Sequence, residues 1–302
     1  MNCSHNSISH RVSQEPDYIS AEKGVSIALR ANYHTHTSFC DGSDAAEDVV
    51  LAAIDKGFSH LGFSGHMDPD IHMDFDAYLA EIGRLREKYA DRIEILCGVE
   101  LDNLYDPHCA DRAEYIIGST HFLDVQSEIP MSVDNNEEIM GRLAEEFFGG
   151  DYYKLSKSYY DLVSRVYDKL HCTFVGHFDL VTRFNDSMHF LDEEDPRYRM
   201  PALEAMEYLV KEGVPFEINC GALNRNRKKE LYPNMFLLKN LREFGGEILI
   251  NSDAHQKELL DGGFDVAVER ALACGFTHIN ILTRRGTGKI HFEQLALDTL
   301  TD

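Results

Sequence analysis

The chain is 302 residues long and 43% hydrophobic, enough to bury one large α/β domain or two small ones. Acidic residues outnumber basic ones 52 to 29, for a formal net charge of −23. A field of that sign disfavours nucleic acid and anionic membrane surfaces as partners, and no uncharged run approaches the roughly 18 residues of a membrane span.

Residues 1–24 are polar, contain no apolar signal core and read as an N-terminal extension to one domain over 25–302. The seven cysteines include no Cys-x-x-Cys pair, which fits reduced thiols and a cytoplasmic location better than a disulfide framework. From Val25 onward, short β-rich runs alternate with amphipathic stretches. Strands are predicted at 27–33, 60–64, 93–99, 115–119, 173–176, 214–219, 247–251 and 278–282. Helices are predicted at 45–56, 75–89, 135–148, 152–170, 201–212, 235–244 and 257–274. Asp44 stands as the N-cap of the first helix, with Glu47 three positions on in the capping-box spacing. Gly57, Gly213 and Gly245 fall where helix C-caps are expected. No repeat or low-complexity linker breaks the alternation. The expected class is therefore α/β: a single domain whose roughly seven βα units close into a distorted (β/α)7 TIM-like barrel.

The polar residues sort to one end of these strands. His34 and His36 end the first, His66 follows the second and Glu100 ends the third. His121 and His177 follow the fourth and fifth, Asn219 ends the sixth, and Asp253 and His255 follow the seventh. In a (β/α) barrel that end carries the active site. His34 and His36, two apart, share a strand face and can reach one cation, and Asp41 arrives close by at the turn Asp41-Gly42. Asp253 and His255 repeat the two-apart spacing. Imidazole with carboxylate suits Zn, Mn or Fe rather than thiolate-loving metals. A carboxylate such as Glu100 has two oxygens and can bridge ions where an imidazole cannot. Any one of these residues could be a core histidine or a helix cap; it is the ordered series that speaks for metal. Arg183, and Arg225 or Arg227 shortly after Asn219, add forked cationic donors in the neighbouring loops. His72, in an acidic loop near the mouth, is a candidate substrate contact.

In this order, His34-Thr35-His36 with Asp41, Gly65-His66, Gly98-Val99-Glu100, Gly118-Ser119-Thr120-His121, Gly176-His177 and Asn251-Ser252-Asp253-Ala254-His255 resemble the motifs of the PHP (polymerase and histidinol phosphatase) family. The resemblance covers roughly residues 31–282. Within the family the chain is most similar to the histidinol-phosphate phosphatases, through Gly150-Asp151-Tyr152-Tyr153, Phe178-Asp179-Leu180 with Arg183-Phe184, Glu217-Ile218-Asn219 and Leu231-Tyr232-Pro233. One departure is Gly65, where relatives often carry an acidic residue before the histidine; it is expected to alter the surroundings of the ligands rather than ligation.

The resemblance implies three divalent metals. His34, His36, Glu100 and Asp253 would hold the first, Glu100 with His121 and His177 the second, and Asp41, His66 and His255 the third. It implies an enzyme that hydrolyses a phosphate monoester, L-histidinol phosphate to L-histidinol in histidine biosynthesis, by in-line attack of a metal-bound hydroxide. Glu100, Asp253 and His255 are the catalytic candidates, and Arg183, Arg225 and Asn219 the substrate-binding ones. The expected partner is a small phosphorylated molecule, with neither nucleic acid nor membrane. The alternatives are another phosphoesterase of the family acting on nucleotides or other small esters, and a metal-binding protein without turnover. A nuclease would want a basic groove, and metal storage has no need of the arginines.

Overall fold

The computed structural model describes residues 29–71 and 73–300. The extension expected over 1–24, the first residues of the strand expected over 27–33, and His72 lie outside the described residues. Seven short apolar runs form β1 (Ala31–Asn32), β2 (His60–Met67), β3 (Glu94–Asp102), β4 (Tyr115–Ser119), β5 (Phe174–Val175), β6 (Phe216–Asn219) and β7 (Ile248–Asn251). They pair in parallel, in sequential order, as one sheet. The connections carry α1 (Ala46–Asp55), α2 (Phe75–Lys88), α3 (Glu137–Phe148), α4 (Tyr152–Val163), α5 (Val166–Leu170), α6 (Asn185–Met188), α7 (Pro196–Lys211), α8 (Gly221–Asn224), α9 (Met235–Glu243) and α10 (Phe264–Ala273). Helices cover the sheet on one side and packed side chains fill the other, so β2, β6 and β7 are buried along their whole length.

The sheet curls into a nearly closed barrel. β1 is too short to ladder with β7, and the seam is made by the residues just beyond it. Thr35 bridges Ala254 in parallel, and the His36 N–H donates to the Ala254 carbonyl at 2.8 Å. Asparagine side chains complete the join: Asn251 Oδ1 accepts the Tyr33 N–H at 2.8 Å, and Asn32 Nδ2 donates to Ser252 Oγ at 2.7 Å.

Tyrosines fill the interior below the mouth. The Tyr115 hydroxyl sits between the carbonyl oxygens of Tyr33 (2.6 Å) and Phe63 (2.8 Å). Gly98 makes room for that ring, because a Cβ there would stand 2.3 Å from it. The Tyr33 hydroxyl donates to the Leu282 carbonyl at 2.8 Å. Leu282 belongs to β8 (His278–Thr283), which pairs antiparallel with β9 (His291–Ala296) as a separate hairpin. The strand expected over 278–282 thus exists, but outside the barrel. Thr283 donates to Glu94, at the start of β3, at 3.0 Å, so the hairpin lies at the end of the barrel opposite the mouth.

Local expectations failed where a tertiary partner or a backbone break intervened. Ala45, not Asp44, is the N-cap of α1, and no side chain caps it. The Asp44 carboxylate accepts the Lys257 N–H at 3.0 Å and pairs with its ammonium, while Glu47 is taken by Arg84, Lys88 and Tyr89. The helix expected over 201–212 begins earlier, at Pro196 behind the Asp195 cap, and runs through Pro201. The stretch 152–170 divides into α4 and α5, and 257–274 into a 3-10 turn and α10 behind Gly263, whose φ is +74°. Gly57, Gly213 and Gly245 do end helices, at φ of +77°, +76° and +83°. The six described cysteines are free, and no described helix is long and apolar enough to cross a membrane.

Candidate metal centre

The mouth is furnished from every strand of the barrel. His34 and His36 extend beyond β1, and Asp41 sits on the turn after them. Gly42 keeps that turn tight, since a Cβ would stand 2.5 Å from the His36 carbonyl carbon. His66 and Glu100 prove to lie inside β2 and β3, opposite each other in register, rather than beyond or at the last residue of their strands. His121 and His177 follow β4 and β5. Asp253, with φ at +49°, holds a backbone conformation that non-glycine residues seldom adopt, a strain typical of functional sites. Gly221 accommodates it: a Cβ at that position would fall 2.4 Å from Asp253 Oδ2.

Glu100 is the centre of the arrangement. Its Oε2 lies 3.0 Å from His34 Nε2 and 3.3 Å from both His36 Nε2 and His66 Nδ1. Its Oε1 lies 2.7 Å from His177 Nε2 and 3.1 Å from His121 Nε2, and accepts from Ser119 Oγ at 2.8 Å. Asp253 Oδ1 joins the Oε2 side, 3.4 Å from His36 Nε2 and 3.7 Å from His34 Nε2. Outermost, Asp41 Oδ2 is 3.0 Å from His255 Nε2, and Asp41 Oδ1 is 3.6 Å from His66 Nε2.

Three sets of these side chains have ligand atoms within 4.8 Å of one another: His36, Asp41, His66 and His255; His34, His36 and Glu100; and His66, Glu100 and His121. These overlap the expected sets without reproducing them: His36 and His66 each serve two groups, and His177 and Asp253 fall in none of the three. All nine expected ligands nonetheless share one mouth.

The donors fit a hard-to-borderline divalent cation. Among the described residues, His36 Nε2 and His66 Nδ1 face Glu100 yet are buried without a hydrogen bond, a cost of about 1–3 kcal/mol each that a ligand would remove, while His121 and His177 turn Nε2 to Glu100 and leave Nδ1 unpartnered on the far side of the ring. Electrostatics agree. Burial would raise the Glu100 carboxyl, but His34, His66 and His121 hold it well below the usual range, and Arg225 and His34 do the same for Asp253. His34, against its burial, is pushed up to about 10 by Glu217, Glu100 and Asp253. The cluster draws positive charge to its centre.

Two carboxylates outside the expected set orient its imidazoles. Glu217 Oε1 lies 2.7 Å from His34 Nδ1, which turns Nε2 toward Glu100, and Glu217 Oε2 accepts the His177 N–H at 3.0 Å. Asp102 accepts the His121 N–H at 2.7 Å and approaches its Nδ1 at 3.4 Å. The Glu217–His34 contact is the kind of carboxylate–histidine pair that fixes tautomer and ring direction around metals, whereas the other two bonds hold the His177 and His121 backbone in place. Strand period could have found both, since Asp102 is two residues from Glu100 and Glu217 two from Asn219.

Above the cluster opens a cavity of about 530 Å³ lined by Asp41, His66, Glu100, His121, His177, Asp134, Arg183, Arg225, Arg227, Asp253 and His255, among others. Arg225 donates to Asp253 Oδ2 at 3.0 Å, with its other terminal nitrogen 2.8 Å from His255 Nδ1. Arg183 donates to Asp134 at 3.0 Å, and its Nε is buried without a partner among the described residues. Asn219, expected at the substrate, is fully buried and does not line this cavity. Its amide donates to Glu217 at 2.9 Å and its Oδ1 accepts the Gly221 N–H at 2.8 Å, so both ends of the side chain are used to hold the site together. At the Gly65 departure the space is taken by Met73, whose sulfur would lie 2.4 Å from an added Cβ.

Comparison with known proteins gives a consistent set of likenesses. The family described as PHP domain matches residues 32–221, well over half of the chain. A Schizosaccharomyces pombe protein named "Probable histidinol-phosphatase" is 26% identical over 283 residues, covering 84% of this chain and 90% of its own. A Deinococcus radiodurans protein of the same name is 28% identical over 242 residues, covering 74% and 85%. Among solved structures, histidinol phosphate phosphatase from Lactococcus lactis, complexed with zinc, L-histidinol and phosphate, superposes with a TM-score of 0.66 at 18% identity, covering 87% of this chain and all of that one.

Proposed function

The chain belongs to the PHP domain family, and from that premise we propose that it is a histidinol-phosphatase, hydrolysing L-histidinol phosphate to L-histidinol and inorganic phosphate in histidine biosynthesis. The observation that carries the chemistry is Glu100, a buried carboxylate whose two oxygens face separate groups of imidazoles on the floor of a cavity walled by arginines. Three divalent ions, of Zn, Mn or Fe, would be held as the sequence motifs imply, by His34, His36, Glu100 and Asp253; by Glu100, His121 and His177; and by Asp41, His66 and His255. Such ions, when bound, activate water and neutralise charge on a phosphoryl group.

The chain's own residues do the rest. Glu100, Asp253 and His255 are the groups at the cavity floor that meet the reacting atoms. Arg183 and Arg225 present forked donors from opposite loops to the phosphoryl oxygens, which orients the ester for in-line displacement. Arg225 also ties Asp253 to His255, so that docking a phosphate and holding the floor are one arrangement. The cavity volume, about 530 Å³, suits a small ester and lies within the usual range for small-molecule sites. Free thiols support a reducing, cytoplasmic setting.

Turnover of histidinol phosphate, nucleoside monophosphates and an aryl phosphate, compared on one metal-loaded preparation, tests the reading. Histidinol phosphate should win by at least about tenfold in kcat/KM, or ~1.4 kcal/mol in transition-state binding. A nucleotide turned over as well would leave the reaction class standing and end the substrate assignment. No turnover of any ester would favour metal binding without catalysis.

A further inference from the structure

A second cavity, of about 440 Å³, lies at the other end of the barrel. Its walls are the last turn of α2, the loop into β3 and the turn of the β8–β9 hairpin, and four of its lining residues are arginines: Arg86, Arg92, Arg284 and Arg285. Four guanidinium groups around one hollow are unusual in a chain of net charge −23.

Asp91 and Glu94 also line the cavity and Glu114 pairs from behind it, three carboxylates against four guanidiniums, but they do not use up the donors. Glu94 accepts from the Thr283 hydroxyl at 3.0 Å and the Arg284 N–H at 2.6 Å, and pairs with Arg285 Nε at 3.1 Å. Glu114 accepts the Cys97 N–H at 2.7 Å, pairs with Arg284 at 2.9 Å and also takes Arg86. Arg86 Nε donates to the Ile95 carbonyl at 2.9 Å. Four guanidiniums carry about twenty N–H groups, and these contacts engage only a handful. Arg284 Nε is buried with no partner among the described residues, and the Arg92 and Arg285 side chains lie exposed at the rim.

We propose that this basal cavity is a second anion site, which takes the phosphate group of a small phosphorylated molecule in the fork formed by Arg92, Arg284 and Arg285. It is independent of the catalytic site: Glu94 and Glu100 are six residue steps apart on β3, about 20 Å of extended chain. Nothing in the proposed reaction uses it, so it stands or falls apart from that reading. The pairing with Glu94 and Glu114 anchors the hairpin and pre-orders the guanidiniums, which lowers the entropy cost of gripping an anion.

Equilibrium dialysis of the metal-loaded protein against radiolabelled orthophosphate tests this. Two phosphates should bind per chain, one at each end of the barrel. The variant Arg92→Ser/Arg285→Ser should bind one, with turnover unchanged, and Arg92→Glu alone should weaken the same site at least tenfold. Arg183→Met should lose the other site instead. A single wild-type phosphate that survives Arg92→Ser/Arg285→Ser overturns the proposal. So do two phosphates that both survive it.

Discussion

At the mouth of the barrel, polar atoms are held near one another without being satisfied, whereas a few ångströms deeper the tyrosine hydroxyls of the floor have each found a carbonyl. His36 Nε2, His66 Nδ1, His121 Nδ1 and His177 Nδ1 are buried and unpartnered among the described residues. The hydroxyls of Tyr33 and Tyr115 meet backbone oxygens at 2.8 and 2.6 Å. These four imidazoles are buried as the tyrosines are, so burial alone does not separate structure from chemistry. What separates them is whether the polar groups are answered from within the chain. The floor secures the fold, and the mouth leaves nitrogens that the proposed metals would answer.

That contrast can be broken most violently at Glu100. Glu100→Gln should cost several kcal/mol of transition-state stabilisation, about 10³-fold or more in kcat/KM, together with loss of bound metal measured by elemental analysis. Normal rate with full metal would remove the mouth from the chemistry. Exhaustive chelation should silence the wild type to the same degree. Glu217→Gln reaches the mouth indirectly, by freeing the His34 ring. Metal affinity, titrated with a competing chelator, should fall about 10- to 100-fold while the fold persists.

Tyr115→Phe tests the floor. It removes the one O–H that lies between the Tyr33 and Phe63 carbonyls and should lower stability by about 1–3 kcal/mol in urea unfolding, with kcat/KM nearly unchanged. A large rate effect with intact stability would mean the two layers are not separable.

An effect on stability alone is expected at Asp179, a buried carboxyl with one unpartnered oxygen that lies beside the cavity rather than in it. Burial, partly offset by the Lys228 ammonium, pushes it up to about 7. Between pH 5 and 7 the folded chain keeps this proton while the unfolded chain releases it, so stability should fall as pH rises. The loss should be on the order of 2 kcal/mol, and Asp179→Asn should flatten that slope. Parallel pH profiles for the two proteins would assign the proton elsewhere.

The sequence made the mouth readable because its side chains recur at strand ends with spacings that only a barrel reconciles. His34 with His36, and Asp253 with His255, announce a shared face by period alone. Other features depend on partners distant in the chain. Asp44 has the right spacing to cap α1 and is drawn off by Lys257, and no local rule foresees that competition. Asn219 reads as a substrate contact at a strand tip, yet Glu217 and the Gly221 N–H claim both ends of its amide. The strand over 278–282 looks like the rest, and only its pairing with 291–296 takes it out of the barrel. Local chemistry is legible where the residue itself reacts, and illegible where it serves another.

The seam between β1 and β7 carries one further consequence. It is stitched by a single backbone bridge beyond the strands and a few amides, and the residues on its two sides are His34 with His36 and Asp253 with His255. Any ion gripped from both sides would act as a clasp across the first and last staves of the barrel. Loading the centre should then slow amide exchange along the seam more than anywhere else, and the emptied protein should part there first.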